Sequence, residues 1–313
     1  LDPLGPSPME AVFDHRQEAL TSTNLVTLMN WAGEFATCLP LLEAEAKEAE
    51  ALGRLARAAR AYAAMAICQS TLGQLPEADA SLQRAQGLST RLGVPVFLVI
   101  YAEDCLVGAL GERWEDVAAT VGPLLAARDP ALAWVEGSLL ALAARADAHL
   151  GHDRDALDSL ALLVPWLERS PAWGTNFIVT ACHAAETLWV LQRTDSAEVI
   201  ERVLRSKVIP SDFRSGMADG RLALGRLCAL GGRDDEARQW WEKARDVLQT
   251  QHAATLLALV DHDEALMAAR RMGPADGASI PPGLDAARRQ FEALGMTGWA
   301  RRAATLKGLG RLG

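Results

Sequence analysis

Positive charge is in short supply in this chain. Its 31 Lys and Arg face 40 Asp and Glu, a formal net charge of −9 over 313 residues. Binding to a nucleic-acid duplex needs a concentrated positive field that displaces counterions from phosphate, so this balance argues against a nucleic-acid partner for the segment. A basic membrane-surface patch is equally unsupported. Cysteine is sparse as well: the five, at 38, 68, 105, 182 and 228, stand far apart with no C-x-x-C among them. That spacing indicates neither a zinc cage nor a disulfide framework and fits a reducing cytosol. No apolar run reaches the ~18 residues that a membrane span needs; even residues 94–110 are interrupted by Pro95, Glu103 and Asp104. The opening LDPLGPSP begins at Leu1 and lacks the charged-then-apolar pattern of a signal peptide, so the expectation is a cytoplasmic segment cut from something longer. The familiar catalytic motifs are missing too: there is no H-E-x-x-H, G-x-S-x-G, G-x-x-x-x-G-K-[ST], or G-x-G-x-x-G opening a helix after a strand. The expectation is therefore no catalytic residue, no cofactor and no metal.

Two residues dominate what remains. Ala and Leu make up about a third of the chain, and both order into helix with little entropic loss. No stretch alternates apolar and polar for long enough to form a half-buried strand, so the expected fold class is all-α.

A short phrase then recurs: Leu-Gly, a few polar residues, and a small residue opening the next helix. It occurs at Leu72-Gly73, Leu110-Gly111, Leu150-Gly151 and Leu230-Gly231, with weaker copies at Ala32-Gly33 and Leu191-Gln192. Gly33, Gly73, Gly111, Gly151, Gln192 and Gly232 fall about 40 residues apart. Glycine accepts the left-handed backbone that closes a helix, and the acids that follow suit the positive first turn of the next one. Each ~40-residue unit should hold two antiparallel helices that cannot bury their apolar faces alone and so stack on their neighbours.

This pattern resembles the tetratricopeptide repeat, at a period slightly longer than that family's. Leu224-Gly225, Cys228, Gly232, Ala237, Trp241 and Ala244 carry the best copy; Tyr62, Met65, Ala66, Gly73, Ala78, Leu82 and Ala85 carry the next. The resemblance implies a right-handed α-solenoid of about six to seven such hairpins. Residues 1–19 are then a lead-in or capping helix and 20–252 the repeats. Residues 253–313 form an atypical closing section with a Pro/Gly connector at 272–282 and a capping helix near 284–294. The tail phrase from Phe291 through Leu294-Gly295-Met296 and Trp299 to Ala303 resembles the close of the repeat region in large bacterial signal-transduction ATPases. These include LuxR-type activators related to the maltose regulator and class III adenylate/guanylate cyclases. What this implies is a cytoplasmic regulator whose repeats sense a protein, a peptide or a small effector beside an ATPase or cyclase module of the same chain. Ten residues after Ala303 are too few for a helix-turn-helix, which favours the cyclase-type or stand-alone arrangement.

In such a stack the first helix of each unit lines the concave surface. Counting back 13, 10 and 6 from each turn residue gives the groove positions. They are Arg60, Ala63 and Ile67; Leu98, Tyr101 and Cys105; Ser138, Ala141 and Arg145; Val179, Cys182 and Glu186; and Asp219, Leu222 and Arg226. Charge on a wall of small residues is costly unless solvated or paired. Arg60, Tyr101, Ser138, Arg145, Glu186, Asp219 and Arg226 are therefore the candidate binding residues, with mutual neutralisation of the charges as the plain alternative. Other clusters have bland readings: Asp261-His262-Asp263-Glu264 as a solvated helix face, Cys182-His183 as a buried thiol beside a satisfied histidine. Most of the nine tryptophans should fill gaps between units, while Trp134 and Trp173 could frame a closed apolar cavity. Such a cavity is the second functional possibility, an all-helical enzyme or small-ligand binder.

Overall fold

The computed structural model describes residues 32–93, 96–170, 174–211, 214–272 and 282–305. Among these there are fourteen α-helices and no strand. In chain order they are α1 (Phe35–Ala51), α2 (Leu55–Leu72), α3 (Leu75–Leu92), α4 (Phe97–Leu110), α5 (Trp114–Ala127), α6 (Glu136–Leu150) and α7 (Asp153–Arg169). They continue with α8 (Gly174–Leu191), α9 (Ala197–Val203), α10 (Gly220–Leu230), α11 (Asp234–Thr250), α12 (Ala254–Met272), α13 (Pro282–Leu294) and α14 (Thr297–Thr305). No helix among the described residues is long and apolar enough to cross a membrane. The expected lead-in at 1–19 and most of the 272–282 connector lie outside the described residues.

The helix ends form where the glycine phrase places them. Gly73 closes α2 at φ 80°, and the Gln74 amide reaches back to the Gln69 carbonyl at 2.8 Å, capturing a carbonyl that the helix end leaves free. Gln192 does the same work without being glycine: it sits at φ 54° while the Arg193 amide bonds the Leu188 carbonyl at 3.0 Å.

Burial then divides the helices into two layers. In α4 every residue from Val99 to Ala109 is buried, and α10 is buried from Leu222 to Ala229. A helix covered all round lies inside. By contrast, α11 buries Ala237, Trp241, Ala244 and Leu248, a single stripe at three- and four-residue steps. Small residues set the approach between layers. The Trp241 indole lies against Gly225, where a β-carbon would come within 2.2 Å of its Nε1, and the Trp166 ring lies equally close over Gly137.

The chain closes on itself. Helices α2 and α4 pack together, α6 packs on α8, α8 on α10, α10 on α12, and α12 returns to α2. The Thr255 hydroxyl of α12 bonds the Thr71 carbonyl of α2, and Leu294 of α13 lies over Gly73. Trp299 of α14 donates its indole N–H to the Gly108 carbonyl of α4 at 2.8 Å. The closing section thus packs on the early helices. It also removes the open trough. Tyr101, Cys105, Ser138, Ala141, Arg145, Val179, Cys182, Glu186, Asp219, Leu222 and Arg226 are all buried.

Candidate functional site: a buried ion ladder

The burial of Arg145, Glu186 and Arg226 in an alanine-rich interior demands partners, and the structure supplies them in series. Arg145 on α6 donates through Nη1 to both carboxylate oxygens of Asp104 on α4, at 2.8 and 2.9 Å, and through Nε to Glu186 on α8 at 2.9 Å. Arg226 on α10 donates to the other oxygen of Glu186 at 2.9 Å and to Asp263 on α12 at 2.6 Å. Acid and base alternate along five inner helices: Asp104, Arg145, Glu186, Arg226, Asp263. Successive members stand 41, 41, 40 and 37 residues apart in the chain, and none is more than 5% exposed.

Aromatic and imidazole groups wrap the ladder. The Trp189 indole N–H donates to Asp263 at 3.1 Å, and His262 Nδ1 lies 3.1 Å from the same carboxylate oxygen. His149 bonds Glu186 through Nε2 at 2.9 Å, stacks on Trp114 with 3.9 Å between ring centroids, and meets Arg302 of α14 at Nδ1. Arg302 can only donate, so Nδ1 accepts and Nε2 carries the hydrogen, which makes the imidazole neutral. Burial opposes charge on Glu186, but the guanidiniums of Arg145 and Arg226 outweigh it and hold the carboxyl well below its usual range. Asp263 is likewise lowered, Arg226 overcoming burial. Burial drives His149 and His183 down to about 4 despite nearby carboxylates. Desolvation pushes the Cys105 thiol up to about 12, so it is a weak nucleophile at neutral pH.

The candidate residues fare unevenly. Arg145, Glu186 and Arg226 come together, neutralised by one another and by two acids the groove count had passed over. Asp104 sits one residue before the counted Cys105. Asp263 and His262 had been assigned to a solvated face, and this is corrected: Asp263 is buried on Arg226 and His262 is buried beside it, while Asp261 and Glu264 pair outward with Arg245. Ser138 lies 3.2 Å from the Thr180 hydroxyl, and the buried Tyr101 hydroxyl makes no hydrogen bond. Asp219 caps α10, accepting the amides of Arg221 and Leu222. Arg60 is exposed on α2 and takes no part in the ladder. His183 is not the satisfied histidine expected beside Cys182: it lies 3.5 Å from Asp104, and neither ring nitrogen makes a hydrogen bond. Glu186 pairs with Arg145, Arg226 and His149 rather than with Cys182 or His183. Trp114, Trp189 and Trp241 pack in the core as expected; Trp173 and the side chain of Trp134 lie outside the described residues.

One further cluster has ligand-type atoms: Glu201, Cys228 and Glu236 fall within 4.8 Å of one another. The Arg205 guanidinium bonds all three, and Arg233 reaches Glu201, so the negative charge that would attract a cation is already met. No family model matches this chain, and no curated protein matches it.

Proposed function

We propose that this chain is a non-catalytic, tetratricopeptide-like binding module, a right-handed stack of helical hairpins that serves as the sensor or scaffold of a cytoplasmic bacterial regulator. The observation that carries the reading is the ladder. Its members recur at steps of 41, 41, 40 and 37 residues, which supports a ~40-residue unit presenting one position of each first helix to a common interior. The Gly225–Trp241 contact supports it further, as the small-and-large pairing that the repeat uses between its two helices. The ladder's carboxylates and guanidiniums are committed to one another and the His149 and His183 imidazoles are held neutral, an arrangement suited to holding a shape. The partner is a protein, a peptide or a small effector that reaches the inner face when the closed stack opens, and binding there shifts how the module docks on an ATPase or cyclase neighbour.

The test is nucleotide turnover by such a neighbour from the same regulator, measured with and without this chain. A severalfold change is expected, and turnover indifferent to the chain refutes the reading. A second reading, a small polar effector enclosed by the inner helices, draws on the buried Tyr101 hydroxyl and His183 ring nitrogens, which make no hydrogen bond. It predicts a ligand-induced rise in Tm that Tyr101→Phe abolishes.

A further inference from the structure

The chain follows α9 with a π turn over Leu204–Val208 and a 3-10 turn over Ile209–Ser211, and the residues that lead into α10 lie inside the fold. Residues 214–219, Arg-Ser-Gly-Met-Ala-Asp, adopt no helix or strand, yet Ser215, Ala218 and Asp219 are buried. Gly216 is the point of contact. Its carbonyl accepts the Thr71 hydroxyl of α2 at 2.8 Å and the Cys105 thiol of α4 at 3.9 Å. A β-carbon on Gly216 would stand 2.3 Å from Thr71 Oγ1 and 3.4 Å from Ile67 and Phe35, so the approach is open to glycine alone. Ile67 and Cys105 are two of the groove positions counted from the turns. The segment therefore sits where an extended ligand of the inner face would sit, and the Met217 side chain packs onto the main core cluster.

The contact is also built to come apart. Thr71 has one hydroxyl hydrogen, and its oxygen lies 2.8 Å from two acceptors, the Gly216 carbonyl and the Ile67 carbonyl one turn back in its own helix. If the segment leaves, the Thr71 hydroxyl keeps the Ile67 carbonyl, and the donor that loses its partner is the weakly donating Cys105 thiol. The turn that shapes the segment is internal to it: the Met217 amide bonds the Ser215 hydroxyl at 3.2 Å. Among the described bonds, the main chain of residues 214–218 is tied to α2 and α4 through the Gly216 carbonyl.

We infer that residues 214–219 are a built-in occupant of a peptide site between α2 and α4, and that the site takes an extended peptide with glycine flanked by small residues in their place. This rests on reading the inner face as the binding surface. The peptide's glycine carbonyl meets Thr71 and Cys105, the missing β-carbon admits Thr71, and the residue after glycine supplies an apolar side chain to the core.

The experiment follows the exposure of Cys105. Gly216→Val cannot seat the segment, so Cys105 should react with a neutral disulfide reagent at least about tenfold faster than in the parent chain, read by peptide mass mapping. Adding the capped hexapeptide Arg-Ser-Gly-Met-Ala-Asp should return that rate toward the parent value. An unchanged rate in a folded Gly216→Val chain, or a rate that the hexapeptide leaves untouched, overturns the inference. Should Gly216→Val fail to fold by circular dichroism, Thr71→Val removes the hydroxyl while keeping the shape. Faster labelling reversed by the peptide then supports the site, and unaltered labelling overturns it. Protection of Cys105 by the peptide with no effect on the neighbour's turnover would refute the proposed regulatory function and leave the site standing.

Discussion

Acid should unfold this protein from within, beginning well above the pH at which its ion pairs lose their charge. His149 and His183 are fully buried and neutral, with pKa values lowered to about 4 from an ordinary 6.5. In the unfolded chain both bind protons below about pH 6.5, whereas the folded chain refuses them until about pH 4. The unfolded state holds more protons across that window, so unfolding free energy falls as pH falls. Two such groups give a slope of about 2.7 kcal/mol per pH unit, and each contributes about 3 kcal/mol by pH 4. Against a typical total stability of about 5–15 kcal/mol that loss is large. The ladder acids act in a different window: Glu186 and Asp263 are lowered, so their contribution is complete above their unfolded values and is lost as pH falls through the still lower folded ones. Glu103 and Asp147, raised chiefly by burial, act in the opposite sense just above their ordinary values and flatten the net slope there. The decisive quantity is therefore the difference between the parent chain and His149→Gln in urea titrations at pH 7.5, 6 and 5. The variant should lose about 1.4 kcal/mol per pH unit of slope between pH 6 and 5. Equal slopes would mean that His149 is solvated or already charged in the fold, and the interior described here would be wrong.

Two substitutions probe the ladder and the layers. Exchanging Arg145→Glu with Glu186→Arg keeps that pair but sets carboxylate against Asp104 and guanidinium against Arg226. The double exchange should therefore melt well below Arg145→Met, itself expected to cost about 3–5 kcal/mol; calorimetry showing the exchange to be the more stable would overturn the alternation argument. Gly225→Ala drives a methyl into the Trp241 indole and should destabilise by about 1–3 kcal/mol in denaturant titration, with Trp241→Phe in the same chain recovering part of the loss.

The turns were legible because they depend on local backbone chemistry: Gly73, Gly111 and Gly151 all take the left-handed conformation that ends a helix, and Gln192 does so in glycine's absence. The Gly225–Trp241 packing was foreshadowed by the resemblance, which sets small and large residues at those positions, and the structure brings the two together. The closure was not legible. Whether α12 meets α2 depends on curvature summed over many helix pairs, and no single residue encodes it. The error over Asp263 has the same origin. Read alone, the 261–264 run is four titratable residues on a helix; only the recurrence of a charge at 104, 145, 186, 226 and 263, alternating in sign, marks one of them as interior. That signal lay in the sequence at the unit spacing, one residue away from the position counted in α4.

The ladder also bears on how the proposed repeat array would behave. In an ordinary stack each unit touches only its neighbours, and stability is close to a sum of nearest-neighbour terms. Here Glu186 is shared by Arg145 and Arg226, and each guanidinium is shared in turn by a second acid, so no rung can be withdrawn without leaving a buried charge uncompensated on the next. Five inner helices from α4 to α12 are thereby joined in one ion-pair network. His149 ties the middle rung to Arg302 of α14, which joins the capping section to the same unit. A partner that displaces residues 214–219 would do so directly before α10, the helix that carries Arg226. Lifting that segment would strain the fourth rung first, and because the rungs share their members the strain would reach α14 and the surface of the cap.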